Sequence, residues 1–132
     1  VRGAGKSGWR PTPKRACHQL VDTSILMQRL GPDEAVYLFY GQWYYGAELQ
    51  HIVLELTYEI GQGRRKLDRV DNCAAVVHRH RFSADMDPRD NDGQIERLYD
   101  QQPHMHNELM NTFDHYLDLY VETWPELLRR WQ

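Results

Sequence analysis

The chain has 132 residues, of which 41% are hydrophobic and 11% aromatic, and its formal net charge is −3. This length fits one domain with a sizeable core, and the composition excludes a wholly disordered chain. No apolar run approaches the roughly 20 residues that a membrane-spanning helix needs, and two cysteines are too few for a disulfide framework, so we expect a cytoplasmic protein without a membrane partner.

Charge is unevenly distributed along the chain. Residues 1–81 carry 12 Arg and Lys against 8 Asp and Glu, whereas residues 82–132 carry 4 against 11. A basic surface attracts nucleic acid through counterion release, while an acidic segment is most often a solvated helix face. The first part of the chain therefore favours a nucleic acid, such as RNA, as a partner.

The N-terminal third begins with an irregular segment. Residues 1–15 are rich in Gly, Pro and basic side chains without an apolar period, which predicts a flexible basic arm before a single domain over residues 16–132. Residues 17–31, "CHQLVDTSILMQRLG", are interpreted as a short helix because Gly31 suits a left-handed C-terminal cap.

The middle of the chain has the pattern of strands. Residues 35–45 are dense in aromatic side chains, and residues 49–61 alternate apolar with mostly polar residues, as in a half-buried strand. Two further strands follow over 66–72 and 76–82, and short connections predict an antiparallel meander. Residues 94–100, "QIERLYD", are compatible with either a strand or a helical turn.

A long amphipathic helix is expected from His104 onward. Its apolar residues recur at helical spacing, and Pro125 predicts a kink or a second short helix. The predicted fold class is α+β: a small antiparallel sheet of about four strands, with an N-terminal helix and a long C-terminal helix packed on one face.

One short segment carries the strongest chemical pattern. In "RVDNCAAVVHRHRF", residues 69–82, two histidines alternate with two arginines. Successive side chains of a strand point to opposite faces, so His78 and His80 should share one face and Arg79 and Arg81 the other.

Several motifs together resemble the TumE-like toxin family of prokaryotic toxin–antitoxin modules. They are the strand "ELTYEI", a glycine turn, a strand ending in Asp71-Asn72, the triplet His78-Arg79-His80 and a C-terminal helix containing Phe113. The resemblance covers roughly residues 50–120. It implies a growth-inhibiting toxin with a cognate antitoxin protein.

The residue types around this segment suit a ribonuclease that needs no metal or other cofactor. Such an enzyme requires a base for the 2′-hydroxyl, an acid for the leaving oxygen and cations for the charged transition state. We assign catalysis to His78, His80 and Asp71, and substrate binding to Arg79, Arg81, Arg69 and Tyr58.

Other functions fit the same residues. His78-x-His80 on one strand face, with Asp71 or Asp100, would also suit a metal ion held by two histidines and a carboxylate. The two histidines are equally compatible with a hydrogen-bonded core edge. A non-enzymatic binding module, such as an antitoxin, inhibitor or regulatory subunit, is a further alternative, and nothing in the sequence opposes a homo-oligomer.

Overall fold

The structure, a computed structural model, describes residues 8–132. These residues form six strands and one α-helix: β1 His18–Gly31, β2 Glu34–Tyr45, β3 Glu48–Ile60, β4 Gly63–Asp71, β5 Val76–Arg81, β6 Gln94–Asp100 and α1 His106–Trp131. Short 3₁₀ turns lie at Lys14–Ala16 and Cys73–Ala75. Each strand pairs antiparallel with the next, so the sheet is a six-stranded meander in chain order.

The predicted N-terminal helix is wrong. Residues 18–31 form β1, a fourteen-residue edge strand that pairs with β2. Val21, Thr23 and Ile25 are β-branched residues at alternate positions, a pattern that favours a strand. Gly31 ends this strand instead of capping a helix. Pairing with β2 therefore decides the conformation of the segment.

The predicted strand count is also wrong. The sheet has six strands instead of about four, because both β1 and residues 94–100 join it. The latter segment forms β6, whose side chains are mostly exposed, so its apolar pattern was weak. The antiparallel order of the central strands is as expected, but within residues 8–132 one C-terminal helix replaces the predicted pair.

The hydrophobic core lies between α1 and one face of the sheet. In β3 every second side chain is buried on this face, which confirms the alternation seen in the sequence: Ile52, Leu54, Leu56 and Tyr58. The helix contributes Leu109, Phe113, Tyr116, Tyr120 and Leu128. Burying each large apolar side chain contributes roughly 1.5–3 kcal/mol, so this layer holds the helix on the sheet.

A buried carboxylate also joins α1 to the sheet. Asp68 of β4 is fully buried and accepts hydrogen bonds from Tyr120 Oη at 2.6 Å, Arg79 Nε at 2.9 Å and Arg130 Nη2 at 3.0 Å. A buried charge is costly unless it is paired and hydrogen-bonded. Burial and the Asp68 charge together raise the pKa of Tyr120 well above its usual range, so its hydroxyl remains a donor.

The helix continues through Pro125 to Trp131, so no second short helix follows the proline. The Trp131 ring packs edge-on against Tyr58 with ring centroids 5.4 Å apart, and the Trp131 carbonyl accepts a hydrogen bond from Ala84 N at 2.8 Å. Among helices in residues 8–132, none combines the length and apolar character that crossing a membrane requires.

The first part of the predicted basic arm, residues 1–7, lies outside the described residues. The remainder contacts the sheet: Thr12 N donates to Gln50 Oε1 at 3.0 Å, and Thr12 O lies 2.5 Å from His51 Nε2. This contact places Lys14 beside β2, with its Nζ 4.2 Å from the centroid of the Trp43 ring.

Candidate functional site

Four polar side chains of β4 and β5 meet on the face of the sheet opposite α1. Asp68 points toward α1, so Arg69 and Asp71 point to the other face. In the β4–β5 ladder Asp71 lies opposite His78, and Arg69 lies opposite His80. Directly opposed residues share a face, which groups these four side chains into the β4–β5 cluster.

The two arginines of β5 lie on the other side. Arg79 binds Asp68 through Nε at 2.9 Å and Nη2 at 3.1 Å, and Arg81 Nη2 lies 3.0 Å from Glu96 Oε1. Successive side chains of β5 point to opposite faces of the sheet, as expected from the sequence. This alternation separates Arg79 and Arg81, which were assigned to substrate binding, from the two histidines.

The three residues assigned to catalysis are brought together. His80 Nε2 lies 3.4 Å from Asp71 Oδ2, and the His78 and His80 ring centroids are 5.8 Å apart. One side-chain atom from each of Asp71, His78 and His80 lies within 4.8 Å of the other two. Both histidines are buried, while Asp71 retains some exposure.

Asp71 carries a negative charge stabilised by its neighbours. Burial alone would raise the pKa of Asp71. The hydrogen bond and charge of His80, the charge of Arg69 and the Cys73 backbone N–H outweigh burial, and they hold the pKa of this carboxyl well below its usual range. Arg69 Nε donates to Asp71 Oδ2 at 3.0 Å, and Cys73 N donates to Oδ1 at 3.2 Å. The carboxylate is therefore ionised and fixed in orientation.

Both ring nitrogens of His80 face oxygen atoms. Nδ1 is 2.8 Å from the Asp92 carbonyl oxygen, and Nε2 lies 3.4 Å from the Asp71 carboxylate. Both partners only accept hydrogen bonds. The two contacts fix the orientation of the ring between the segment that follows β5 and the end of β4.

The segment between β5 and β6, residues 82–93, covers part of the cluster. Arg69 Nη2 donates to the Asn91 carbonyl at 2.6 Å, and His80 contacts the Asp92 carbonyl. The next residue is Gly93, with φ of +58°; a Cβ there would lie 2.5 Å from the Arg81 carbonyl oxygen. The close approach of this segment to β5 therefore requires glycine.

Asn72 holds the end of β4 in position. Its Nδ2 donates to Gln50 O at 2.8 Å and to Gln101 Oε1 at 2.6 Å, and its Oδ1 accepts from Ile52 N at 3.0 Å. The chain then turns through Ala74 and Ala75, both with positive φ. The Asp-Asn pair thus combines a site carboxylate with a buried structural amide.

A cleft of about 500 Å³ opens beside Asp71 on this face. Its polar lining consists of Lys14, His51, Glu55, Arg69, Asp71, Asn72, Cys73 and Asn91. His78 and His80 do not line it, and both are buried. The charged side chains of the cleft are therefore two cations and two carboxylates, with His51 beside them.

Tyr58 lies far from this arrangement, on the sheet face that packs against α1. Its hydroxyl donates to Glu34 Oε1 at 2.6 Å, and this bond raises the pKa of Tyr58 to about 12. The even-numbered residues of β3 face the core, so the expected substrate contact is replaced by a structural hydrogen bond.

The donor set Asp71, His78 and His80 has the residue types of a site with two histidines and one carboxylate. However, Arg69 Nε lies 3.0 Å from the carboxylate oxygen that faces His80. A divalent cation in that position would meet a guanidinium charge at short range.

Comparison with models of known protein families, with curated proteins and with solved structures found no match in any of the three. The cleft and the β4–β5 cluster are therefore the structural features that bear on function.

Sequence reasoning assigned no role to His51 or Lys14. His51 lies two positions before Val53, which pairs with Asp71. Once the register of β3 against β4 is known, the polar face of β3 is seen to adjoin the cluster. Lys14 had no comparable signal, because a contact between the arm and the sheet positions it.

Proposed function

We propose that this protein is a growth-inhibiting toxin that cleaves RNA by acid–base chemistry without a metal ion. The observation that supports it is the convergence of Asp71, His78 and His80 beside a cleft whose walls carry Arg69 and Lys14. Imidazoles can transfer the two protons that the reaction requires, and cations stabilise the negative charge that develops on phosphorus.

The toxin part of the proposal comes from the sequence resemblance. Asp71-Asn72 and His78-Arg79-His80 resemble the motifs of TumE-like toxins, which act within toxin–antitoxin modules. A cognate antitoxin protein is therefore the expected protein partner. Arg79 forms an ion pair with the buried Asp68 and therefore stabilises the fold. Within the triplet, the two histidines are the residues that we assign to RNA.

Within this proposal, His80 is the proton donor. Each of its ring nitrogens faces an acceptor, Asp92 O or Asp71 Oδ2, to which an N–H of the ring can donate. Asp71 orients that ring, and Arg69 balances the carboxylate charge. RNA reaches the imidazole from the cleft when residues 91–92 release their contacts with Arg69 and His80.

The test combines growth with RNA cleavage. An inducible copy should arrest growth of a bacterial host, and the purified protein should cleave single-stranded RNA. His80→Ala should reduce cleavage by about 10²–10⁴-fold, because it removes the proton donor. His18→Ala, at an exposed position of β1, is the matched control and should cleave like the wild type.

Two results would oppose the proposal. Normal growth with confirmed expression of the folded wild type would favour the binding-module alternative. Loss of cleavage after treatment with a chelator, with recovery on adding back one metal, would favour the two-histidine, one-carboxylate metal site. Thermal midpoints of all variants distinguish loss of chemistry from loss of folding.

A further inference from the structure

A third histidine, separate from the β4–β5 cluster, lines the same cleft. His51 lies on the polar face of β3, opposite Trp43 of β2, and is half-buried. Unlike His78 and His80, it forms part of the cleft wall together with Asp71 and Arg69. A molecule bound in the cleft would therefore contact His51 directly.

The hydrogen bonding of His51 determines its tautomer. Its Nε2 lies 2.5 Å from the carbonyl oxygen of Thr12, which can only accept, so Nε2 carries the proton. In the neutral ring, Nδ1 is then the nitrogen with a lone pair. Thr12 is itself held by the bond from its N–H to Gln50 Oε1. This orientation of a neutral imidazole by a fixed acceptor is what a general base requires.

Burial is the main reason that the neutral form of the His51 ring is favoured. Burial lowers the pKa of His51; the Thr12 carbonyl opposes this effect, and the charge of Lys14 adds to it. The other charged groups of the cleft are Glu55 on β3 itself, and Arg69 and Asp71 on β4. Arg69 and Asp71 form an ion pair with each other.

We propose that His51 is the general base that takes the 2′-hydroxyl proton of RNA bound in this cleft. The proton moves to Nδ1 of His51, and the 2′-oxygen forms a bond to phosphorus. The bond from phosphorus to the 5′-oxygen breaks, and the leaving oxygen takes a proton from His80. The products are a 2′,3′-cyclic phosphate and a 5′-hydroxyl, and Arg69 and Lys14 face the phosphate during the reaction.

This inference rests on the proposed ribonuclease function, so the experiment uses an RNA oligonucleotide that the wild type cleaves. His51→Ala and His51→Gln should lower kcat/KM by about 10²–10⁴-fold. Both variants should lose the fall in rate on the acidic side of the pH profile, because that fall reports protonation of the base. Added imidazole should partly restore cleavage by His51→Ala.

The matched control is His115→Ala, at an exposed histidine of α1, which should behave as the wild type. His51 variants that cleave at the wild-type rate with the wild-type pH profile would overturn the assignment while leaving the ribonuclease proposal intact. Reduced cleavage that keeps the acidic limb and is not rescued by imidazole would also overturn it. A wild type that cleaves no RNA would instead refute the proposed function itself.

Discussion

Two aspartates of β4 illustrate how position along a strand determines the role of a residue. Asp68 and Asp71 are three residues apart and therefore lie on opposite faces. Asp68 is fully buried under α1, where three donors surround it. Asp71 lies at the cleft, bound to Arg69 and His80. The first stabilises the fold, and the second belongs to the candidate site.

Asp71 should contribute a pH-dependent part of the stability. Its pKa is lower in the folded chain than in the unfolded chain, so this contribution is present above the unfolded value of about 4 and is lost as the pH falls toward the folded pKa. We expect Asp71→Asn to lower the free energy of unfolding at pH 7 by about 1–3 kcal/mol. The difference from the wild type should shrink below about pH 4, as measured by urea denaturation across pH.

Asp118→Asn is the control for this prediction, because Asp118 is an exposed residue of α1. Its effect should be close to zero throughout the pH range. A loss for Asp71→Asn that is equally large at acidic and neutral pH would contradict an ionised, charge-stabilised Asp71.

At the scale of elements, the segment 82–93 determines access to the buried histidines. It is attached to β4 and β5 through the Asn91 and Asp92 carbonyls, and to the end of α1 through the bond from Ala84 N to Trp131 O. Gly93 then lets the chain pass close to Arg81 before β6 begins.

Gly93→Ala should displace this segment. The added Cβ would lie 2.5 Å from Arg81 O and 2.8 Å from Phe82 Cδ1, in a backbone conformation with positive φ. We expect the variant to lose more stability than the roughly 1–2 kcal/mol that left-handed backbone alone costs. Trypsin cleavage after Arg89, an exposed residue of the segment, should become faster.

Gly61→Ala distinguishes the cost of a left-handed backbone from the cost of the close contact at Gly93. Gly61 also has positive φ, but a Cβ added there would have open space around it. It should show the conformational cost alone, without faster cleavage after Arg89. If both variants lose the same stability, the close contact at Gly93 does not constrain the segment.

At the scale of the whole molecule, the sheet is unequally supported. α1 packs mainly on β3 and β4, where the core is buried, whereas β1 lies at the edge and has no buried residue. Local opening requires less free energy where little apolar surface is buried. The cleft residues His51, Arg69 and Asp71 therefore lie on the strands that α1 covers most.

Hydrogen exchange should report this gradient. Amides in the ladder between β3 and β4, such as Leu54, should exchange at rates close to those of global unfolding. Amides in the ladder between β1 and β2, such as Ile25, should exchange at least tenfold faster. Mass spectrometry or NMR can compare both ladders in one sample, and equal protection would contradict a weakly held edge strand.

The sequence by itself determined the local patterns. Alternation predicted the two faces of β3, the helical period predicted the C-terminal helix, and the spacing His78-x-His80 predicted that two imidazoles share one side of a strand. These features follow from side-chain geometry within one element, which needs no partner. The same reasoning was wrong for residues 17–31, where a glycine was interpreted as a helix cap.

Only the tertiary structure decided which strands, helices and loops come into contact with one another. The register of β4 against β5 placed Asp71 opposite His78. The face of β3 that packs against α1 placed Tyr58 on the core side, where it binds Glu34. The contact of Thr12 with β3 brought Lys14 to the cleft that His51 lines. The conformation of β1 was decided in the same way, by hydrogen bonds to β2 that its own sequence does not encode. The physical reason is that strand pairing and packing are non-local, so their free energy depends on residues distant in sequence.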